Sequence, residues 1–139
     1  MALIFSKKDM LLFLDEVFPQ VTGKISILKL ANNTASVKLI TAKSDLRPGG
    51  TVSGPSMFLL ADVTFYILVL SAIGKQQGAV TTNCSINFMR KPEPNDLVAD
   101  ARILKQGRKL IVGDVLLRSK SGSDVVAHAT FTYSVPSKS

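Results

Sequence analysis

Residues 56–73 read S-M-F-L-L-A-D-V-T-F-Y-I-L-V-L-S-A-I, an apolar run with a single charge in it, Asp62. As a helix the run would span about 27 Å, enough to cross a bilayer. A carboxylate at mid-membrane costs roughly 2.5–3.5 kcal/mol, and the chain carries no second run of this kind. A helix apolar on every face and outside a membrane must be covered on every face. The expectation is a central helix enclosed by the rest of the chain. Pro55, favourable at a first helical position, opens it, and Gly74 closes it.

The covering material reads as β. In 78–90, Val80, Thr82, Cys84, Ile86 and Phe88 alternate with Thr81, Asn83, Ser85, Asn87 and Met89. A period of two places the first set on the core face and the second on the other. After the K-P-E-P-N-D turn at 91–96, residues 96–106 and 108–119 form a hairpin about Gly107. Ser121-Gly122 then turns into a last strand over 125–135. Upstream, strands at 24–30 and 35–41 are joined by Asn32-Asn33, residues that tolerate a left-handed turn. A first helix runs from Ser6, an N-cap with Asp9 three residues on, to Phe18. Met10, Leu11, Phe13, Leu14 and Val17 form its apolar face, and Pro19 stops it. This order predicts an α+β fold, one antiparallel sheet of about six strands curled around the long helix. No repeat or linker interrupts it, so 1–139 reads as one domain, with the N-terminal helix in 1–19 and the core in 20–136.

With 46% hydrophobic and 19% charged residues, the chain is not a disordered one and can build a core unaided. Cys84 and His128 are the only residues of their kinds. That excludes a disulfide framework and a Cys-rich zinc site, and leaves little room for a Ser-His-Asp triad or a His-based metal site. Met1–Lys8 lacks the order of a secretory signal, so a cytoplasmic protein is expected. The net charge of +7 favours anionic partners. Arg102, Lys105, Arg108 and Lys109 have no acid among them in sequence, and Arg90-Lys91 forms a second pair. Such a set is either a solvated hairpin tip or a phosphate site. Nucleic-acid readers add exposed stacking aromatics, and here Trp is absent while Phe and Tyr fall at core positions.

Two features carry chemistry. Asp62 is the only charge between Arg47 and Lys75, with Phe58, Leu59, Phe65 and Tyr66 one turn away. It is either a helix Asp bonded to loop amides or facing a solvent channel, or a general base or nucleophile. The loop G-G-T-V-S-G-P at 49–55 runs into a helix N-terminus, where backbone N–H groups suit an oxyanion or polarised carbonyl. Its glycines also suit tight turns alone, and it lacks the G-K-[ST] ending of a phosphate loop.

The glycine loop, L-A-D at 60–62, I-N-F-M-R-K-P at 86–92, K-Q-G-R-K at 105–109 and the closing V-A-H-A-T-F-T-Y occur in an order that resembles the hotdog-fold acyl-CoA thioesterases of the PaaI-like (phenylacetate-degradation) group. The resemblance covers roughly 20–136. It implies a helix wrapped by an antiparallel sheet, and protomers paired edge to edge into dimers that often pair again. It implies Asp62 as general base or nucleophile on a thioester, the Gly54 amide polarising the carbonyl, and Thr81 holding the attacking water. It also implies a site shared between two protomers, with CoA phosphates near Arg90, Lys91, Lys105, Arg108 and Lys109. CoA enters as part of the substrate; no cofactor, metal, nucleic acid or membrane is expected. Where many relatives carry His-Gly-Gly, this chain has Ser53-Gly54-Pro55, so Ser53 takes the place of the His. The function implied is hydrolysis of a medium-chain or aryl acyl-CoA; the alternative is a non-catalytic acyl-CoA or fatty-acyl binding protein on the same fold.

Overall fold

The structure, a computed structural model, describes residues 5–74, 78–120, 122 and 124–136. Residues 1–4 of the leader reading and Ser121 of the turn reading lie outside the described residues. Helix α1 covers Lys7–Val17, with the Ser6 hydroxyl accepting the Asp9 N–H at 3.1 Å as the cap. Strands β1 (Ile25–Ala31) and β2 (Thr34–Leu39) meet at Asn33, whose φ is 63°. Helix α2 (Gly54–Ile73) is followed by β3 (Val80–Phe88), β4 (Leu97–Gln106), β5 (Leu110–Ser119) and β6 (Val125–Ser134). All neighbouring strands are antiparallel in one six-stranded sheet of order β1-β2-β4-β5-β6-β3. The architecture is the expected one, a helix held in a curved sheet, with β1 and β3 at the edges.

Helix α2 has the length and hydropathy of a membrane span, but two-thirds of its most apolar 18-residue stretch is buried inside the protein. Leu60, Phe65, Ile67, Leu68 and Leu70 have no exposed surface. Phe65 stacks on Phe131 of β6 at 5.4 Å between centroids. Beneath that ring β5 carries Gly113. A Cβ there would lie 2.2 Å from the Arg102 carbonyl oxygen and 2.4 Å from the Phe65 ring. The strand passes under the helix only because this residue has no side chain.

Three sequence expectations need correction. Helix α2 begins at Gly54, two residues before Ser56, because extended Ser53 caps it, its Oγ accepting the Ser56 N–H at 3.3 Å. Pro55 then occupies the first turn, where no N–H is required. Strand β3 does not alternate strictly: its pairing with β6 slips between Thr81 and Asn83. The extra residue, Thr82, reverses the parity, so Thr81 faces the helix with Cys84 and Ile86. Thr82, Val80 and Phe88, placed on the core face by period, are exposed. Finally, Arg102 has an acid after all. Strand pairing sets it opposite Asp114, which accepts its Nε at 2.7 Å and also contacts His128 Nε2 at 3.0 Å.

Candidate active site

The loop before α2 turns on two glycines at positive φ, Gly49 (101°) and Gly50 (84°). The Val52 N–H donates to the Pro92 carbonyl at 3.1 Å, tying the loop to the segment after β3. The Ser53 N–H donates to the Asp45 carbonyl at 2.7 Å. The Asp45 carboxylate itself accepts from the Ala42 N–H (2.9 Å), the Ser56 hydroxyl (2.8 Å) and the Lys24 ammonium (3.1 Å). Asp45 thus clamps the entry of α2. Sequence reading passed over it, although it is the only acid between Glu16 and Asp62.

Burial opposes ionisation of Asp45, but the Ala42 amide, Ser56 hydroxyl and Lys24 charge outweigh it and hold its pKa below the ordinary 3.8. Asp114 behaves alike: burial opposes, and Arg102 and His128 prevail. A carboxyl depressed in the folded state takes up its proton at higher pH when unfolded, so its stabilisation is complete above the unfolded value and lost on acidification. Thermal midpoints should therefore hold steady from about pH 7 to 5 and fall below about pH 4. Asp45→Asn should lower the midpoint at neutral pH and flatten the acid decline. An identical decline in that variant would remove Asp45 from the explanation.

The Gly54 N–H, in the first helical turn, has no carbonyl partner in the helix. A Cβ at Gly54 would meet only the Phe88 ring, at an ordinary 3.6 Å. Gly54, Phe88, Arg47, Arg90, Lys91 and Pro92 belong to one open cleft of about 380 Å³. Three cations therefore stand near the positive end of α2, Arg47 being one that sequence reading left out. The Ser53 hydroxyl serves as the cap, bonded to the Ser56 N–H.

Asp62 lies eight residues further along α2, about 12 Å away along the axis. Its Oδ1 accepts hydrogen bonds from the Thr81 hydroxyl at 2.7 Å and the Tyr133 hydroxyl at 2.9 Å. Among the described residues nothing bonds Oδ2. Burial, then the Asp62 charge, push the Tyr133 phenol far upward and the Cys84 thiol upward as well. Both stay neutral around the carboxylate. One carboxylate oxygen is thus anchored by two neutral donors, which leaves the other to take a proton from water or to attack a carbonyl carbon. Tyr133 was missed from sequence, because only the β6–β3 pairing sets it beside Thr81.

Lys105, Arg108 and Lys109 are exposed on the β4–β5 hairpin. Its tip adjoins the row Gln106, Ile111, Tyr133 and Thr81, at the Asp62 end of the sheet. Arg90 and Lys91 follow the opposite end of β3. One chain therefore brings Asp62 together with Thr81, and Gly54 with Arg90 and Lys91, and keeps the two groups apart.

Residues 49–132 match the family model described as thioesterase superfamily. The chain belongs to the thioesterase superfamily. A candidate thioesterase from Silicibacter sp. TM1040 is 51% identical, with 99% of this chain and 96% of that one covered at a TM-score of 0.90. Thioesterase superfamily member 2 from zebra fish shares the fold at 20% identity (95% and 99% covered, TM-score 0.83). So does an N33D mutant of the phenylacetic acid degradation protein PaaI from Thermus thermophilus, at 22% identity (85% and 99% covered, TM-score 0.75). No curated protein matches. The family match spans the glycine loop, α2 and β3 to β5 with most of β6, and so includes Gly54, Asp62 and Thr81, while α1, β1 and β2 precede it. The hotdog thioesterase fold expected from the sequence is the fold of the chain.

Proposed function

We propose that this thioesterase-superfamily protein hydrolyses the thioester of a medium-chain or aryl acyl-CoA. The observation that carries the reading is Asp62, anchored through one oxygen by Thr81 and Tyr133 with the other open. Asp62 takes a proton from water as the water oxygen adds to the carbonyl carbon; collapse of the adduct breaks the C–S bond, and the CoA sulfur takes that proton back from Asp62 and leaves as the thiol. Direct attack by the carboxylate on the carbonyl carbon breaks the C–S bond, expels CoA as the thiolate and gives a mixed anhydride, which water opens to the free acid and Asp62; this route uses the same geometry. Thr81 helps to hold the water, and a Gly54 N–H polarises the carbonyl, one such donor being worth about 2.7–4 kcal/mol.

These two groups, about 12 Å apart along one helix, cannot serve one carbonyl. A second copy resolves this. The outer edge of β3 is unpaired by other strands among the described residues, and antiparallel pairing of two such edges reverses their ends. The Thr81–Asp62 end of one chain then meets the Gly54–Phe88 end of its partner. The same reversal brings the Lys105–Lys109 tip toward the partner's basic cleft, where CoA phosphates would lie.

The deciding experiment is release of free thiol from acetyl-, hexanoyl-, decanoyl- and phenylacetyl-CoA. Turnover of at least one is expected. Binding with no release would favour the acyl-CoA binding protein, a reading that the use of Ser53 as a helix cap, where relatives carry a His, keeps open. Charge reversal of Arg108 and Lys109 together should raise KM for acyl-CoA several-fold and leave kcat nearly unchanged, the signature of lost uniform binding. A pantetheine thioester without the nucleotide should be unaffected. Equal losses on both substrates would mean that the hairpin acts through structure instead.

A further inference from the structure

Gly54 can polarise a carbonyl only if its N–H keeps one direction. That N–H belongs to the peptide unit between Ser53 and Gly54, close after Gly49 and Gly50 with their positive φ, and no Cβ at Gly54 restricts the backbone. The hold on this unit comes from the Ser53 side. The Ser53 carbonyl accepts the Met57 N–H at 3.0 Å, its Oγ accepts the Ser56 N–H at 3.3 Å, and its own N–H donates to the Asp45 carbonyl at 2.7 Å. Asp45 also accepts the Ser56 hydroxyl, at 2.8 Å through Oδ1. It therefore grips the chain on both sides of Gly54. Asp45 is itself only 3% exposed. The Lys24 ammonium reaches both of its carboxylate oxygens at 3.1 Å. The Lys24 carbonyl accepts the Ile40 N–H at 2.8 Å, which seats that lysine at the end of the β1–β2 pairing. Lys24 and Asp45 both precede residues 49–132, outside the matched family region.

We propose that Lys24 and Asp45 are positioning residues for the reaction: the pair ties the glycine loop to the sheet and aims the Gly54 N–H at the thioester carbonyl. The inference rests on the thioesterase reading, in which that amide is the donor to the carbonyl. Neither residue touches substrate; both act through Ser53 and Ser56. Hydrogen bonds weaken steeply with misalignment, so a tilt of this one peptide reduces the polarisation and leaves the CoA contacts in place. Removing the Lys24 charge strands a buried carboxylate without its cation. The carboxylate is then drawn from Ser56 toward water, and the grip on the loop is lost.

The test measures kcat and KM with decanoyl- and phenylacetyl-CoA in the wild type, Asp45→Asn, Lys24→Met and Lys24→Arg, well below each melting midpoint. Infrared spectra add the carbonyl stretch of a bound ketone analogue, isotope-labelled at the carbonyl, in which CH2 replaces the thioester sulfur. Asp45→Asn and Lys24→Met should lose about tenfold or more in kcat with KM within about twofold. In both, the stretch should move to higher frequency, because a less polarised C=O bond is stiffer. Lys24→Arg keeps the charge pair and should stay near the wild type on both measures. Lower melting midpoints with kcat and the stretch unchanged would make the pair purely structural and overturn the proposal. If Asp45→Asn does not fold, the two lysine variants decide. If the wild type releases no thiol from either substrate, the thioesterase reading fails instead, and the stretch alone judges the positioning. A shift in Lys24→Met that is absent in Lys24→Arg supports it, and one frequency across the set overturns it.

Discussion

Asp62→Asn should fold as the wild type does and lose two to four orders of magnitude in kcat/KM, roughly what a positioned base contributes. The amide oxygen can still accept from Thr81 and Tyr133, so the anchoring at 2.7 and 2.9 Å need not change. What disappears is the basic and nucleophilic oxygen on the open side. Thiol release together with a melting curve separates the two effects. If the variant melted normally and kept more than a tenth of wild-type kcat/KM, Asp62 would be a structural residue and the proposed chemistry would need another base.

The second large effect concerns stability alone. Gly113→Ala inserts a Cβ at 2.2 Å from a backbone oxygen and 2.4 Å from a fully buried ring. Neither neighbour can yield cheaply: the carbonyl belongs to β4, and Phe65 is stacked between helix and sheet. Overpacking of this severity should cost about 3 kcal/mol, lowering the melting temperature by about 10 °C. Gly54→Ala is the internal control, since its Cβ meets one ring edge at 3.6 Å and should leave the melting temperature almost unchanged. Matching melting temperatures for wild type and Gly113→Ala would show that β5 can move away from the helix.

Much of this was legible in the chain itself. The run around Asp62 could only be an enclosed helix, and the strands around it followed from alternation and turn residues. Asp62 stood out as a lone charge in an apolar helix. Its partners did not. Thr81 belongs by simple alternation to the outer face, and only the slip at Thr82, set by pairing with β6, turns it inward. Tyr133 and Asp45 act across the fold, 71 residues from Asp62 and 21 from Lys24. Nothing local distinguishes either from an ordinary strand Tyr or loop Asp. Arg102 shows the reverse error: a cation alone in sequence, yet paired across a hairpin with an acid 12 residues on.

Helix α2 also works as a ruler. Each residue advances it by 1.5 Å and turns it by about 100°. Deleting or inserting one residue between Gly54 and Asp62 would therefore swing the carboxylate a quarter-turn or more away from Thr81 and Tyr133. It would also carry the glycine amide off its mark. Compensation would require a simultaneous change in the length of β3. Across descendants of this sequence, the eight-residue interval should remain fixed while the side chains within it vary, so that substitution is open to this segment and changes of length are not.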